Sequence, residues 1–123
     1  MKAYLIDPFE KKISVVEYSG DFKQIYEHIK ADMFECCHFT EHDDVWVDEE
    51  GLLKDLKEQK FFLIKGYPQP LAGRGLVLGT DGQGESIEPK ISEQDLADKV
   101  AFMDLHDVRC WIATNPHSKL SGA

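Results

Sequence analysis

Several groups of residues in this 123-residue sequence have the side chains that chemistry requires. His38-Phe39-Thr40-Glu41-His42 matches the inverted zincin pattern H-x-x-E-H. That chemistry needs a helix, because only there do residues i and i+4 share a face closely enough to hold one Zn²⁺. Phe39 and Thr40 favour a strand, and His42-Asp43-Asp44 favours a turn. In a strand, i and i+4 lie about 13 Å apart, too far for one ion. A looser set comprises Cys36, Cys37, His38, His42, Cys110 and His117. It lacks the paired C-x₂-C or H-x₃-H spacings of structural zinc. Adjacent Cys36 and Cys37 point to opposite faces of a strand, whereas Cys36, His38 and Cys110 remain compatible with one site. A nucleophilic cysteine beside His38 or His106 would need a lowered pKa, and no cysteine directly precedes an expected helix. Reduced, partly buried thiols are the expectation for this odd cysteine count. No catalytic residue, metal or cofactor is expected.

Gly73, Gly75, Gly79, Gly82 and Gly84 do not form G-x-G-x-x-G, and no Gly-Lys-Ser/Thr follows them. Asp81-Gly82 reads as a hairpin turn. The stretch reads as turns and bulges, in which Gly73 and Gly75 would also let the backbone approach a partner or another strand closely. The acids are more telling. The net charge is −9, from 14 Lys plus Arg against 23 Asp plus Glu. Residues 1–60 hold 8 bases and 15 acids, a net −7, whereas 61–123 hold 6 and 8, a net −2. Between Lys30 and Lys54 lie eight acids and no base: Asp32, Glu35, Glu41, Asp43, Asp44, Asp48, Glu49 and Glu50. Such a field steers basic partners and can occupy a site built for nucleic acid. It disfavours direct binding to a phosphate backbone. No D-x-[DN]-x-[DN]-G calcium loop occurs. The candidate partner-binding residues are therefore Glu41, Asp43, Asp44, Asp48, Glu49 and Glu50, with Trp46 as an aromatic anchor.

The elements that must position these residues follow from periodicity. Residues 2–7 and 12–18 read as a hairpin about a turn at Asp7-Pro8. Asp21 caps a helix whose apolar stripe is Phe22, Ile25, Tyr26 and Ile29. Residues 33–40 and Val45-Trp46-Val47 make a second hairpin. Leu52, Leu53 and Leu56 suggest a short helix ending near Gln59. Phe61–Ile64 and the stretch around Leu76–Leu78 are strands. Ser92 opens a second long helix with Leu96, Val100 and Met103 on its apolar face, and Val108–Ile112 is a last strand. The fold class is α+β: a mainly antiparallel sheet with two longer helices and one short helix packed on one face. Residues 1–114 form a single domain and 115–123 a loose tail.

Val45-Trp46-Val47-Asp48-Glu49-Glu50-Gly51-Leu52-Leu53 and Pro70-Leu71-Ala72-Gly73-Arg74-Gly75-Leu76-Val77-Leu78-Gly79, with the opening strand pair and the helix at 21–30, carry a resemblance. Over residues 2–104 the chain resembles a family of small uncharacterised domains encoded largely by phages, plasmids and other mobile elements. Cys36, Cys37 and His38 depart from that pattern. The resemblance implies no catalytic residues, only a context inside a bacterial cell.

The expected function is a small acidic accessory protein acting through protein–protein contact. A nucleic-acid-mimicking inhibitor of a host DNA-binding or defence protein is the concrete case. Its partner would be a host or phage protein with a basic surface, and exposed strand edges would also permit a homodimer. The alternative is a small metal-binding protein or hydrolase using Cys36, His38, His42 and Cys110. No apolar run approaches a membrane span, and the N-terminal apolar stretch is too short for a secretory signal, so a cytoplasmic location is expected.

Overall fold

The computed structural model describes residues 1–116. β1 (Lys2–Asp7) and β2 (Lys12–Glu17) form the first hairpin, paired in register from Lys2 opposite Glu17 to Asp7 opposite Lys12. Its turn is held by Asp7 Oδ1, which accepts hydrogen bonds from the Phe9 and Glu10 amides. α1 (Lys23–Ile29) follows, and Asp21 Oδ1 accepts the Lys23 N–H at 3.0 Å. β3 (Phe34–His38) and β4 (Asp43–Asp48) are the second hairpin. Next come β5 (Phe61–Ile64), β6 (Leu71–Ala72), β7 (Gly75–Thr80), β8 (Ser86–Ile87), α2 (Glu93–Lys99), β9 (Val100–Met103) and α3 (Leu105–Thr114).

The strands build two sheets, and every pairing among the described residues is antiparallel. The larger runs β2-β1-β7-β4-β3 with β8 beside β7; the smaller runs β6-β5-β9. Side chains alternate across the larger sheet. Ala3, Leu76 and Leu78 meet Tyr18, Ile25 and Ile29 beneath α1. Tyr4, Ile6, Val45, Val47 and Val77 face the other way, onto Phe62 and Ile64 of β5 and Leu96 of α2. Phe61 points to the far side of β5 and packs with Val108 of α3. At Gly75, in the centre of the larger sheet, a Cβ would lie 2.7 Å from both Phe62 Cζ and Val45 Cγ2, so the two sheets meet over a glycine. What comes close at Gly75 is the Phe62 and Val45 side chains, not another backbone.

The α+β class and the antiparallel pairing hold, but four expectations are corrected. The helices do not share one face: α1 covers one side of the larger sheet, α2 and the second sheet the other, and α3 lies beyond that. The stripe Leu96, Val100, Met103 does not mark one helix. α2 stops at Lys99, and Val100–Met103 extends to pair with β5, Phe62 opposite Phe102. The buried strand β5 requires partners for its backbone, and that demand overrides a locally acceptable helical period. Val108–Ile112 is helical. Asp104 Oδ1 accepts the Asp107 N–H at 2.9 Å and Asp107 Oδ2 accepts the Asp104 N–H at 3.0 Å, a reciprocal cap that starts α3. The Asp107 backbone donor, and secondarily its side chain and nearby Lys60 and His106, hold the Asp104 carboxyl below its usual range. Finally, residues 52–59 form only a 3₁₀ turn, Gly51–Leu53; Leu53 and Leu56 are exposed and only Leu52 packs inward.

Of the tail expected at 115–123, Asn115 is tied back through Nδ2 to the Trp111 carbonyl at 2.8 Å; residues 117–123, including the candidate ligand His117, lie outside the described residues.

Candidate binding edge and ligand cluster

β3 is an edge of the larger sheet, and its register on β4 decides what its side chains meet. Cys36 and His38, two residues apart, project from one face. His38 sits opposite Asp44, which brings that carboxylate to the same face. One ligand atom from each of Cys36, His38 and Asp44 lies within 4.8 Å of the other two. His38 Nδ1 donates to Asp44 Oδ1. Thr80 Oγ1, from the neighbouring β7, donates to Asp44 Oδ2 at 2.6 Å. Asp44 is buried, whereas the His38 side chain is 78% exposed. The Cys36 thiol is pushed up to about 12, first by burial and then by the Asp44 charge and hydrogen bond. Cys36 is therefore a protonated thiol at neutral pH, not an activated nucleophile.

The remaining candidate ligands lie elsewhere. Cys37 faces the opposite side, in the core with Val45 and Val47. Burial raises its pKa, opposed by a hydrogen bond with Tyr67. His42 stands in the β3–β4 turn, exposed, 3.8 Å from Glu41. With His38 in a strand and His42 in a turn, the helix that H-x-x-E-H requires is not formed. Cys110 is on α3, where its sulfur lies 3.6 Å from His106 Nε2, one helical turn away.

The acidic block divides into a buried middle and two exposed ends. Asp43 accepts the backbone N–H of Lys90 at 2.7 Å and of Ile91 at 3.1 Å. Asp48 accepts the Glu50 N–H and binds Lys54 Nζ at 2.5 Å. Asp43, Asp44 and Asp48 are all buried. Glu41 is exposed at the turn. Glu49 and Glu50 are exposed at the other end of β4, about 17 Å away along the strand. Glu35 belongs with this second group. Partial burial, then the Glu49 charge, raises its pKa. The Glu49 N–H donates to the Met33 carbonyl, joining the two segments.

Trp46 is half-buried under α1, and its Nε1 is the one buried side-chain polar atom left without a partner among the described residues. It ends an aromatic row that sequence reading missed. Phe22 meets Tyr26 edge-on at 6.2 Å, Tyr26 stacks on Phe34 at 4.6 Å, and Phe34 tilts against Trp46 at 5.2 Å. Phe22, at the outer end, is 56% exposed, and Met33 is 49% exposed. Tyr26 sits in the expected helical stripe, but only the β3–β4 register brings Phe34 and Trp46 to it. A groove of about 540 Å³ beside Asp43 is lined by Lys65, Lys90 and Lys99 together with Asp95 and Asp98, so neither charge sign prevails there.

No described helix is long and apolar enough to cross a membrane. A family model described as "Domain of unknown function (DUF3846)" matches residues 1–101. Among curated proteins, "Uncharacterized protein y4iR" of Sinorhizobium fredii (strain NBRC 101917 / NGR234) is 27% identical over 97 residues, covering 77% of this chain. The chain spans 59% of that relative's length. No solved structure matches the chain.

Proposed function

We propose that this chain, which belongs to the DUF3846 family of domains of unknown function, acts by protein–protein contact at the end of β4 that carries Glu49 and Glu50. The observation that supports this reading is exposed Met33, whose carbonyl accepts the Glu49 N–H, set among acids. Asp32, Glu35, Glu49 and Glu50 surround this end, and residues 31–53 contain no base. Lys54, which closes that interval, is committed to Asp48 and to the Lys30 carbonyl. An exposed apolar side chain among acids complements a partner that presents an apolar spot flanked by Lys and Arg. In the mobile-element setting that the family resemblance implies, that partner is a host or phage protein with a basic surface. Mimicry of nucleic acid against a DNA-binding or defence protein is the specific form. The buried Asp43, Asp44 and Asp48 act indirectly, by holding the hairpin.

The test is affinity capture from the native host's lysate with the intact chain and with a variant carrying Asp32→Asn, Glu35→Gln, Glu49→Gln, Glu50→Gln and Met33→Ser. A specific basic protein should be lost with the variant, and its capture should weaken as salt rises. Excess duplex DNA should displace the chain from that protein. Equal recovery of the same partner by both forms sinks the reading.

A further inference from the structure

The Cys36, His38 and Asp44 side chains have a separate consequence. We propose that they form a binding site for one borderline divalent transition-metal ion, Zn²⁺ being the natural occupant. Their donors are one sulfur, one nitrogen and one oxygen, all within 4.8 Å of one another. That mixture suits Zn²⁺ and Co²⁺, whereas Mg²⁺ and Ca²⁺ take oxygen donors. Around tetrahedral zinc, with bonds of about 2.0–2.3 Å, donor atoms stand about 3.3–3.8 Å apart. The cluster reaches that spacing through an adjustment of about 1 Å, which side-chain rotation supplies. The backbone already fixes the rest: Cys36 and His38 share a face of β3, and register places Asp44 opposite His38.

Two further features fit a metal better than a surface ion pair. Asp44 is a buried carboxylate whose ion-pair partner is a histidine that is itself 78% exposed. Its second oxygen is held by Thr80 at 2.6 Å, the kind of outer hydrogen bond that orients a ligating carboxylate. With Zn²⁺ bound, a thiolate, a carboxylate and a neutral imidazole make a site of zero net charge, which removes the cost of the buried Asp44 anion. On binding, the Cys36 thiol proton passes to solvent, and His38 gives one ring nitrogen to the metal while keeping its proton on the other. Three protein ligands leave a fourth position, and the exposure of His38 opens it to water.

The experiment is Co²⁺ titration and Zn²⁺ equilibrium dialysis of the full chain without a histidine tag. The intact protein should bind about one equivalent and show thiolate-to-cobalt charge transfer with intense tetrahedral d–d bands. Cys36→Ser should abolish the charge-transfer band, and His38→Gln, at an exposed side chain whose amide can still donate to Asp44, should weaken binding at least tenfold, with circular dichroism checking that each variant is folded. Thr80→Val should weaken it about tenfold with the band intact. Cys37→Ala, His42→Gln and Cys110→Ser should leave it unchanged. Absence of the band and of retained Zn²⁺ in the intact protein overturns the proposal. So does binding that survives Cys36→Ser, or that disappears with Cys110→Ser and thereby belongs to the Cys110–His106 pair.

Discussion

Asp43→Ala should destabilise the protein by about 3 kcal/mol without touching any partner surface. Asp43 lies in the middle of the acidic run, yet it is buried and accepts the amides of Lys90 and Ile91, 47 and 48 residues further along the chain. Hydrogen bonds to a charged acceptor contribute about 1.5–3 kcal/mol each, so two bound the loss at about 3–6 kcal/mol. Lys90 is exposed and water can reach the freed amides, which selects the lower end of that range. For a domain of this size the corresponding fall in Tm is about 10–15 °C. Asp43→Asn keeps one acceptor oxygen and should lose about half as much. Glu41→Gln, two residues away but exposed, should shift Tm by less than about 2 °C. Thermal unfolding followed by circular dichroism gives the magnitudes, and hydrogen exchange gives the cause. The Lys90 and Ile91 amides should lose protection in Asp43→Ala more than amides of β1 do. A Tm within about 2 °C of the parent, or a fall that leaves those two amides as protected as before, refutes the reasoning.

Other consequences can be measured independently. Gly66 has φ +104, and a Cβ there would collide with the Phe39 carbonyl oxygen, so Gly66→Ala should cost about 3 kcal/mol or more in urea unfolding; a cost under about 1 kcal/mol would contradict this geometry. Glu35 has a raised pKa, so its protonated form is favoured in the folded state. Its contribution to stability is complete below the usual carboxylate range and is lost as pH rises through the folded value. Glu35→Gln should therefore be more stable than the parent at pH 7 and indistinguishable from it near pH 3, and a difference independent of pH would argue against the burial and Glu49 repulsion. With its thiol at about 12, Cys36 at pH 8 is thiolate to about one part in ten thousand. Iodoacetamide should modify exposed Cys110 far ahead of Cys36 and buried Cys37 in timed peptide mapping; equal rates would contradict this ordering.

Local sequence determined both hairpins, the stripe of α1 and the start of α2, because each depends on neighbours within a few residues. Asp7 closes its own turn, Ile25 and Ile29 repeat at helical spacing, and Ser92 accepts the Asp95 N–H. Sequence also confined most of the charge to the first sixty residues and put Cys36 and His38 on one strand face. Tertiary structure decided the rest. Leu96, Val100 and Met103 are spaced for one helix face, and the unpaired edge of β5 chose the strand, which sends Val100 and Met103 to opposite sides. Val108–Ile112 could extend or coil, and the Asp104–Asp107 reciprocal cap chose the helix. The eight acids of residues 31–53 look alike in sequence, but the partners of Asp43 and Asp44 come from far along the chain. Asp43 is claimed by amides from residues 90 and 91, Asp44 by Thr80 and Asp48 by Lys54. A carboxylate is buried only where donors from elsewhere in the chain meet it, so the division into structural and exposed acids, and the meeting of Asp44 with Cys36 and His38, arises only when β3, β4 and β7 lie side by side.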